Sequence, residues 1–413
     1  MKNIFLILCI PLASLAGAAP VVSDVLVRQM WPWEKRIRVT CTIGGVTDGH
    51  EARLRITAYR GETFLGEIPD AALSGDVWAL FGGAGRKTVW VDPSKTDLLP
   101  SDGVVEDLRI VVQAEDVGTV LYKVVDLTKE AGEAGQQVCV SEKDLNAGLY
   151  GACETNPISG IASIVWTTPA AEYESYAGSK LVLRRVASGS FMMGESLSSS
   201  VTLSEYWIGI FPITFQQLAN VTGASAGSMP YKSIGECNYD LCRGSVNTGC
   251  VWPESGHAVA SESLIAQFRA KTGLSGLDLP TEAQWEYACR AGTTTKYFYN
   301  SDNDADLKDY AVYGGEAFTR VGLKKPNAFG VYDMLGGNWE WVLDWVADAL
   351  PSGKDPVGAA TVHGTTTRRY KRGGAAASGS GNCTSFRRLN DPNCAPDNMS
   401  SFNSFRLVLN GCE

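Results

Sequence analysis

Residues 36–43 alternate apolar and polar side chains with period two, from Arg36 and Ile37 through Thr42 and Ile43. Residues 53–58 do the same, and 108–112 and 119–125 are β-branched runs, with Gly, Asp and Pro between them. Period-two alternation places every second side chain on one face, so this stretch predicts short antiparallel strands around one core. The expectation is a small β-sandwich over residues 19–130. Residues 131–178 are richer in Gly, Ala, Ser and Pro and read as a connector, with 161–166 adding a strand. From 179 onward the pattern is mixed. Residues 181–186, 189–194, 201–203 and 206–210 read as strands. Thr214 with Gln217 and Thr281 with Gln284 have capping-box form, which predicts helices starting at each threonine. A further helix is predicted over 261–271. The remainder reads as short strands and long ordered loops, in a chain with 44 glycines.

A chain of 413 residues exceeds one ordinary domain, and two are the natural expectation. Its formal net charge is −9, and Lys and Arg are scattered. That speaks against a nucleic-acid surface. No apolar run long enough for a membrane span follows the N-terminus. Residues 1–18 read as a secretory signal: Lys2, an apolar run from Ile4 to Leu15, then Ala16-Gly17-Ala18 as a small-residue cleavage site. The expected location is secreted or periplasmic. Ten of the eleven cysteines follow this leader, and an even count in an exported chain predicts disulfides without fixing their pairing. Cys237, Cys242 and Cys250 form a close group, but without a C-x-x-C spacing they are a poor zinc signature.

The densest chemistry lies in Asp333-Met334-Leu335-Gly336-Gly337-Asn338-Trp339-Glu340-Trp341-Val342-Leu343-Asp344-Trp345. Carboxylate, amide and carbonyl oxygens are the ligands that Ca²⁺ takes, and the paired glycines let the backbone curl so that carbonyls converge. The competing reading is a tryptophan-rich core strand whose acids are hydrogen-bonded.

Several motifs arrive in a familiar order. They are Gly189-Ser190-Phe191-Met192-Met193-Gly194, Leu279-Pro280-Thr281-Glu282-Ala283-Gln284-Trp285-Glu286-Tyr287-Ala288, Pro326-Asn327-Ala328-Phe329-Gly330-Val331-Tyr332-Asp333-Met334, Asn338-Trp339-Glu340-Trp341, Arg372-Gly373-Gly374 and Phe405-Arg406. Together they resemble the formylglycine-generating enzyme (sulfatase-modifying factor) family over about 180–410. The resemblance implies an α+β class: an irregular, C-type-lectin-like formylglycine-generating-enzyme fold over 179–413, with the separate all-β sandwich at the N-terminus. It implies a calcium site whose matching positions are Asp333, Gly336, Asn338 and Glu340. It also implies an activity, the oxidation of a sulfatase cysteine to formylglycine at copper(I) held by two thiolates five residues apart.

That thiolate pair is missing from this sequence. Cys383 is present, but five residues earlier stands Ser378, and the serine that the family carries after Gly-Gly is Ala375. A hydroxyl is a poor ligand for soft Cu⁺. Cys394, eleven residues on, is badly spaced to replace it. The iron-dependent relatives use a histidine cluster, whereas only His257 and His363 lie in this domain, without H-x-x-x-H spacing. Arg387, Arg388 and Arg406 match arginines around the family's groove. They would hold a peptide, carboxylate or sulfate by bidentate contacts, or pair with Asp391, Asp397 or Glu340. The expected protein is therefore a secreted pseudoenzyme-like binding or scaffold member with a calcium-stabilised groove for a peptide, protein or glycan. The alternative is an oxidoreductase with Cys383, Cu⁺ and a sulfatase substrate.

Overall fold

The computed structural model describes residues 20–47, 50–78, 85–147, 153–155, 162–164, 166, 170–244, 258–358 and 367–410. The expected leader at 1–18, His257, His363, Cys250 and Cys412 lie outside the described residues. The chain divides into two compact units, residues 1–149 and 150–413.

In the first unit the strands are β1 (Val21–Gln29), β2 (Ile37–Gly44), β3 (Glu51–Arg60), β4 (Thr63–Glu67), β5 (Leu73–Gly75), β6 (Gly85–Val91), β7 (Leu108–Gly118), β8 (Val120–Asp126) and β9 (Gln137–Ser141). One antiparallel sheet runs β1-β2-β6-β5 and another β4-β3-β7. Ile37, Val39, Cys41 and Ile43 of β2 meet Leu54, Ile56 and Ala58 of β3 in one core, with Val89, Val91, Ile110 and Val112. These are alternate residues of each strand, so the period-two pattern has become the sandwich core. His50 pairs at the surface with Asp116, Nδ1 to Oδ1 2.9 Å.

The stretch expected to be a connector is more structured than its composition implied. β9 pairs antiparallel with β8, and α1 (Glu142–Asn146) follows, its N-cap Ser141 boxed by Asp144. The boundary between the compact units falls after residue 149, later than the expected end of the sandwich at 130. Beyond it, β10 (Cys153–Thr155) pairs with β11 (Ala162–Ile164), and α2 (Ala170–Glu174) continues into a π-turn, Ser175–Ser179.

The second unit continues with β12 (Lys180–Val186), β13 (Gly189–Met193), β14 (Ser199–Leu203), β15 (Tyr206–Gly209), α3 (Phe215–Thr222), α4 (Tyr239–Arg243), α5 (Leu264–Thr272), β16 (Leu277–Asp278), α6 (Glu282–Arg290), β17 (Ala311–Val312), β18 (Leu335–Gly336), β19 (Trp339–Trp345), β20 (Gly353–Lys354), β21 (Arg369–Arg372), β22 (Asn403–Ser404) and β23 (Val408–Asn410). Both predicted capping boxes form, at Thr214 with Gln217 and at Thr281 with Gln284. The helix expected over 261–271 is α5, which begins later because Ser263 is its N-cap.

Strands in this unit are short and split over small sheets. β15 lies between β12 and β23, and β23 also pairs β16. β13 and β14 form a hairpin joined by β20. β19 runs antiparallel to β21 and parallel to β22. Trp285, Ala288 and Cys289 of α6, Met334, Leu335 and Val342 share one core with Cys383. The unit is thus an irregular α+β fold, mostly strand with few helices, as expected. No helix among the described residues is long and apolar enough to cross a membrane.

Among the described residues one disulfide joins Cys237 and Cys242, which removes both from any zinc site. Cys41, Cys139, Cys289, Cys383 and Cys394 are buried free thiols. The broader expectation of disulfides holds at this pair. It fails at the five thiols, which serve as small core residues.

Candidate functional site

Every residue of β19 is buried, and its alternation sorts two kinds of chemistry. Trp341 and Trp345 meet cations from β21: Lys371 Nζ lies 4.8 Å from the Trp341 ring centre, and the Arg369 guanidinium 3.4 Å from that of Trp345. Such stacking shields a desolvated cation with the ring's negative face. Glu340 and Asp344 alternate with them and take hydrogen bonds. Asp344 accepts the amides of Glu282 and Gly358, each at 2.7 Å. Its carboxyl is pushed up to about 7 by burial, with the Glu282 charge next in weight.

Glu340 accepts three hydrogen bonds. Arg406 donates to both its oxygens, each at 2.7 Å, and Trp285 Nε1 donates at 2.8 Å. Arg406 spends its remaining donors on the carbonyls of Gly209, 2.9 Å, and Tyr332, 3.0 Å. It has no exposed surface. Of the two roles open to Arg406 in the sequence, groove lining and pairing with Glu340, it takes the second.

A second buried network sits beside α6. Arg372 reaches Glu282 at 2.7 Å and Glu286 at 2.6 Å, all three buried without exposure. Arg388 forks onto Glu282 at 2.6 and 2.9 Å and stacks 4.0 Å over Tyr370. Arg290 binds Glu286 at 2.9 Å, and Glu286 also accepts the amide of Gly194 at 2.8 Å. Two glutamates and three arginines therefore tie α6, β21 and the loop after β13 together. The sequence reading missed this network. Its signal was Glu282, Glu286 and Arg290, each four residues from the next along a helix that is buried almost throughout.

For calcium, the loop offers mixed donors. Asp333 takes a left-handed backbone, φ 54°, and its Oδ2 accepts the Gly322 amide at 2.6 Å. Burial pushes its carboxyl up to about 7, with the Gly322 amide and then the Arg406 charge pulling the other way. Gly336 has φ 78°, and a side chain there would collide with the Val312 carbonyl, so the curl requires glycine. Asn338 spends its amide on Ser233 Oγ, 2.8 Å, and the Ile234 carbonyl, 3.2 Å. These contacts use its Nδ2 and fix the orientation of the side chain. Asp333 and Glu340 are the charged groups of this set, and Glu340 is already held by Arg406; among the described residues no group of three His, Cys, Asp or Glu side chains comes together to hold a metal.

Cys383 lies in the core. Its sulfur packs on Gly374, where an added Cβ would stand 2.6 Å from it. Burial pushes the thiol up to about 12, far from a thiolate at neutral pH. Ser378 closes the turn after Gly-Gly: its hydroxyl accepts the Ala375 amide at 3.1 Å, and the carbonyl of Ala375 accepts the Ser378 amide at 2.7 Å. Cys394 donates to the Leu389 carbonyl at 3.2 Å and is likewise pushed up to about 12 by burial. Of the candidate groove arginines, Arg387 is exposed, and Arg388 is half-buried in its ion pair.

A family model described as a sulfatase-modifying factor enzyme 1-like domain matches residues 179–411. The chain is 28% identical over 159 residues to the formylglycine-generating enzyme of Bos taurus, covering 32% of this chain and 39% of that protein. It is 25% identical over 198 residues to the chaperone protein LppX of Paenibacillus barcinonensis, covering 39% and 70% respectively. Among solved structures, Treponema denticola variable protein 1 aligns with a TM-score of 0.45 and 25% identity, over 57% of this chain and 98% of that one. The chain spans about two-fifths of the length of the formylglycine-generating enzymes first matched, at 39%.

Proposed function

The chain belongs to the sulfatase-modifying factor family, and from that premise we propose that it is a secreted binding or scaffold member that does not make formylglycine by the copper route. The observation that carries this is the Cys383 sulfur, buried against Gly374 with its thiol held protonated. Copper(I) is a soft ion that favours a pair of thiolate sulfurs. Here the second position is Ser378, whose hydroxyl is spent on the Ala375 amide. Arg387, and Arg388 where it emerges from its ion pair, are left to meet a peptide, protein or glycan.

The test is a Cu⁺ titration of the reduced protein beside its Cys383→Ser variant, together with a sulfatase-motif peptide containing cysteine. Identical copper binding by both proteins and no aldehyde on the peptide are expected. Tight one-to-one binding lost in the variant, or turnover of the peptide, would establish the oxidoreductase alternative instead.

Calcium is part of the proposal. Asp333 and the carbonyls of Gly336 and Asn338 would hold the ion, with Glu340 steadied by Arg406. It would staple the loop and supply no chemistry. EDTA should then lower the melting temperature, and added calcium should restore it. An unchanged melting temperature removes calcium from the proposal.

A further inference from the structure

Residues 235–240 and 396–401 run side by side in opposite directions. Gly235 packs on the Ser401 carbonyl, the Glu236 amide donates to Ser400 at 2.8 Å, Asn238 Nδ2 to the Asp397 carbonyl at 3.1 Å, and the Asp240 amide to Pro396 at 3.1 Å. The Cys237–Cys242 disulfide closes the first segment around the start of α4. Trp341 Nε1 anchors it from below through the Cys237 carbonyl, 3.1 Å. The backbone is therefore fixed, and what it presents outward does not need to be ordered on binding.

Three large apolar side chains stand out from this double segment: Leu241 at 43%, Met399 at 55% and Phe402 at 43% exposure. Single exposed hydrophobics are ordinary, but a group of three on one rigid segment pair is the pattern of a docking surface. Three carboxylates accompany them, Glu236, Asp240 and Asp397, and among the described residues none forms an ion pair. Burial, and then the neighbouring Asp397 charge, raise the Asp240 carboxyl above its ordinary value. Arg369, stacked between Trp345 and Tyr239, opposes this in part. Among the described residues no ion pair neutralises these three carboxylates.

We propose that this surface docks a partner protein segment that presents lysine or arginine side chains among apolar ones. Apolar residues of the partner cover Leu241, Met399 and Phe402, and its cations meet the three carboxylates. Complementary charge at the rim sets encounter and register, while the apolar centre supplies most of the contact. The surface uses none of the residues around Cys383. Its test therefore stands whether or not the domain oxidises anything.

The probe is a short synthetic peptide alternating leucine and lysine, with a leucine–glutamate peptide as its counterpart. Binding is read by titration calorimetry, and its place by hydrogen exchange of the full chain. The lysine peptide should protect residues 235–242 and 396–402. Asp240→Lys with Asp397→Lys should weaken it about tenfold, and Met399→Ser with Phe402→Ser comparably. Reversing two exposed acids elsewhere, Glu195→Lys with Asp348→Lys, should leave it unchanged. Protection at other segments, equal loss in the control pair, or equal binding of the glutamate peptide would overturn the proposal. So would self-association of the chain abolished by Met399→Ser, which would assign the surface to a second copy.

Discussion

Replacing Arg372 with methionine should destabilise the second unit by about 3–5 kcal/mol, the usual cost of removing one partner from a buried ion pair. Arg372 has no exposure and answers Glu282 at 2.7 Å and Glu286 at 2.6 Å. Its loss leaves Glu282 to Arg388 and Glu286 to Arg290, with less cation than carboxylate charge can use in a dry interior. One effect runs the other way. Arg372 Nε has no hydrogen-bond partner, so methionine removes a desolvated donor whose cost is about 1–3 kcal/mol. Two charge-assisted bonds and the Ser385 carbonyl contact, 3.0 Å, outweigh it. Denaturant midpoints of the wild type and the variant measure the difference. A loss below about 1 kcal/mol would mean that solvent reaches these carboxylates. Adding Glu286→Gln to the variant should recover part of the loss, because the uncompensated charge is then gone.

This network explains why the sequence was readable in some places and not in others. Local rules worked where the partner is local. Thr281 and Gln284 cap α6 from three residues apart, and the alternation at 36–43 became β2 without needing distant information. Ser141 and Asp144 follow the same logic with a shorter acid than the usual glutamate or glutamine, so α1 was hidden in a stretch that composition assigned to a connector. Pairing over long separations was not legible. Arg406 lies 66 positions from Glu340, and Arg372 lies 90 from Glu282. The sequence offered groove ligand and ion pair as equal fates for Arg406. Only the crossing of β19 and the segment before β23 decides between them. Cysteine count could not fix the pairing for a related reason. Parity says nothing about which face of a strand or helix a thiol occupies, and Cys41, Cys289 and Cys383 all face cores.

Replacing Arg406 with methionine should be as damaging as the change at Arg372, about 3–5 kcal/mol, and it separates architecture from ligand binding. Arg406 clamps Glu340 through two 2.7 Å bonds and fixes the carbonyls of Gly209 and Tyr332. Those carbonyls belong to β15 and to the residue before Asp333, so one guanidinium holds both ends of the Asp333–Glu340 loop. Methionine fills much of the volume but leaves Glu340 with only the Trp285 N–H, 2.8 Å. If the loop also binds calcium, the ion becomes the remaining cation near Glu340. Added calcium should then rescue the Arg406→Met variant by more than it stabilises the wild type, since binding to the folded state alone raises stability by mass action. Pairing Arg406→Met with Glu340→Gln should remove most of that extra rescue. Equal calcium effects in all three proteins would show that Arg406 alone neutralises this loop. The tryptophan-rich segment would then owe its acids to ion pairing and hydrogen bonding, with no metal in it.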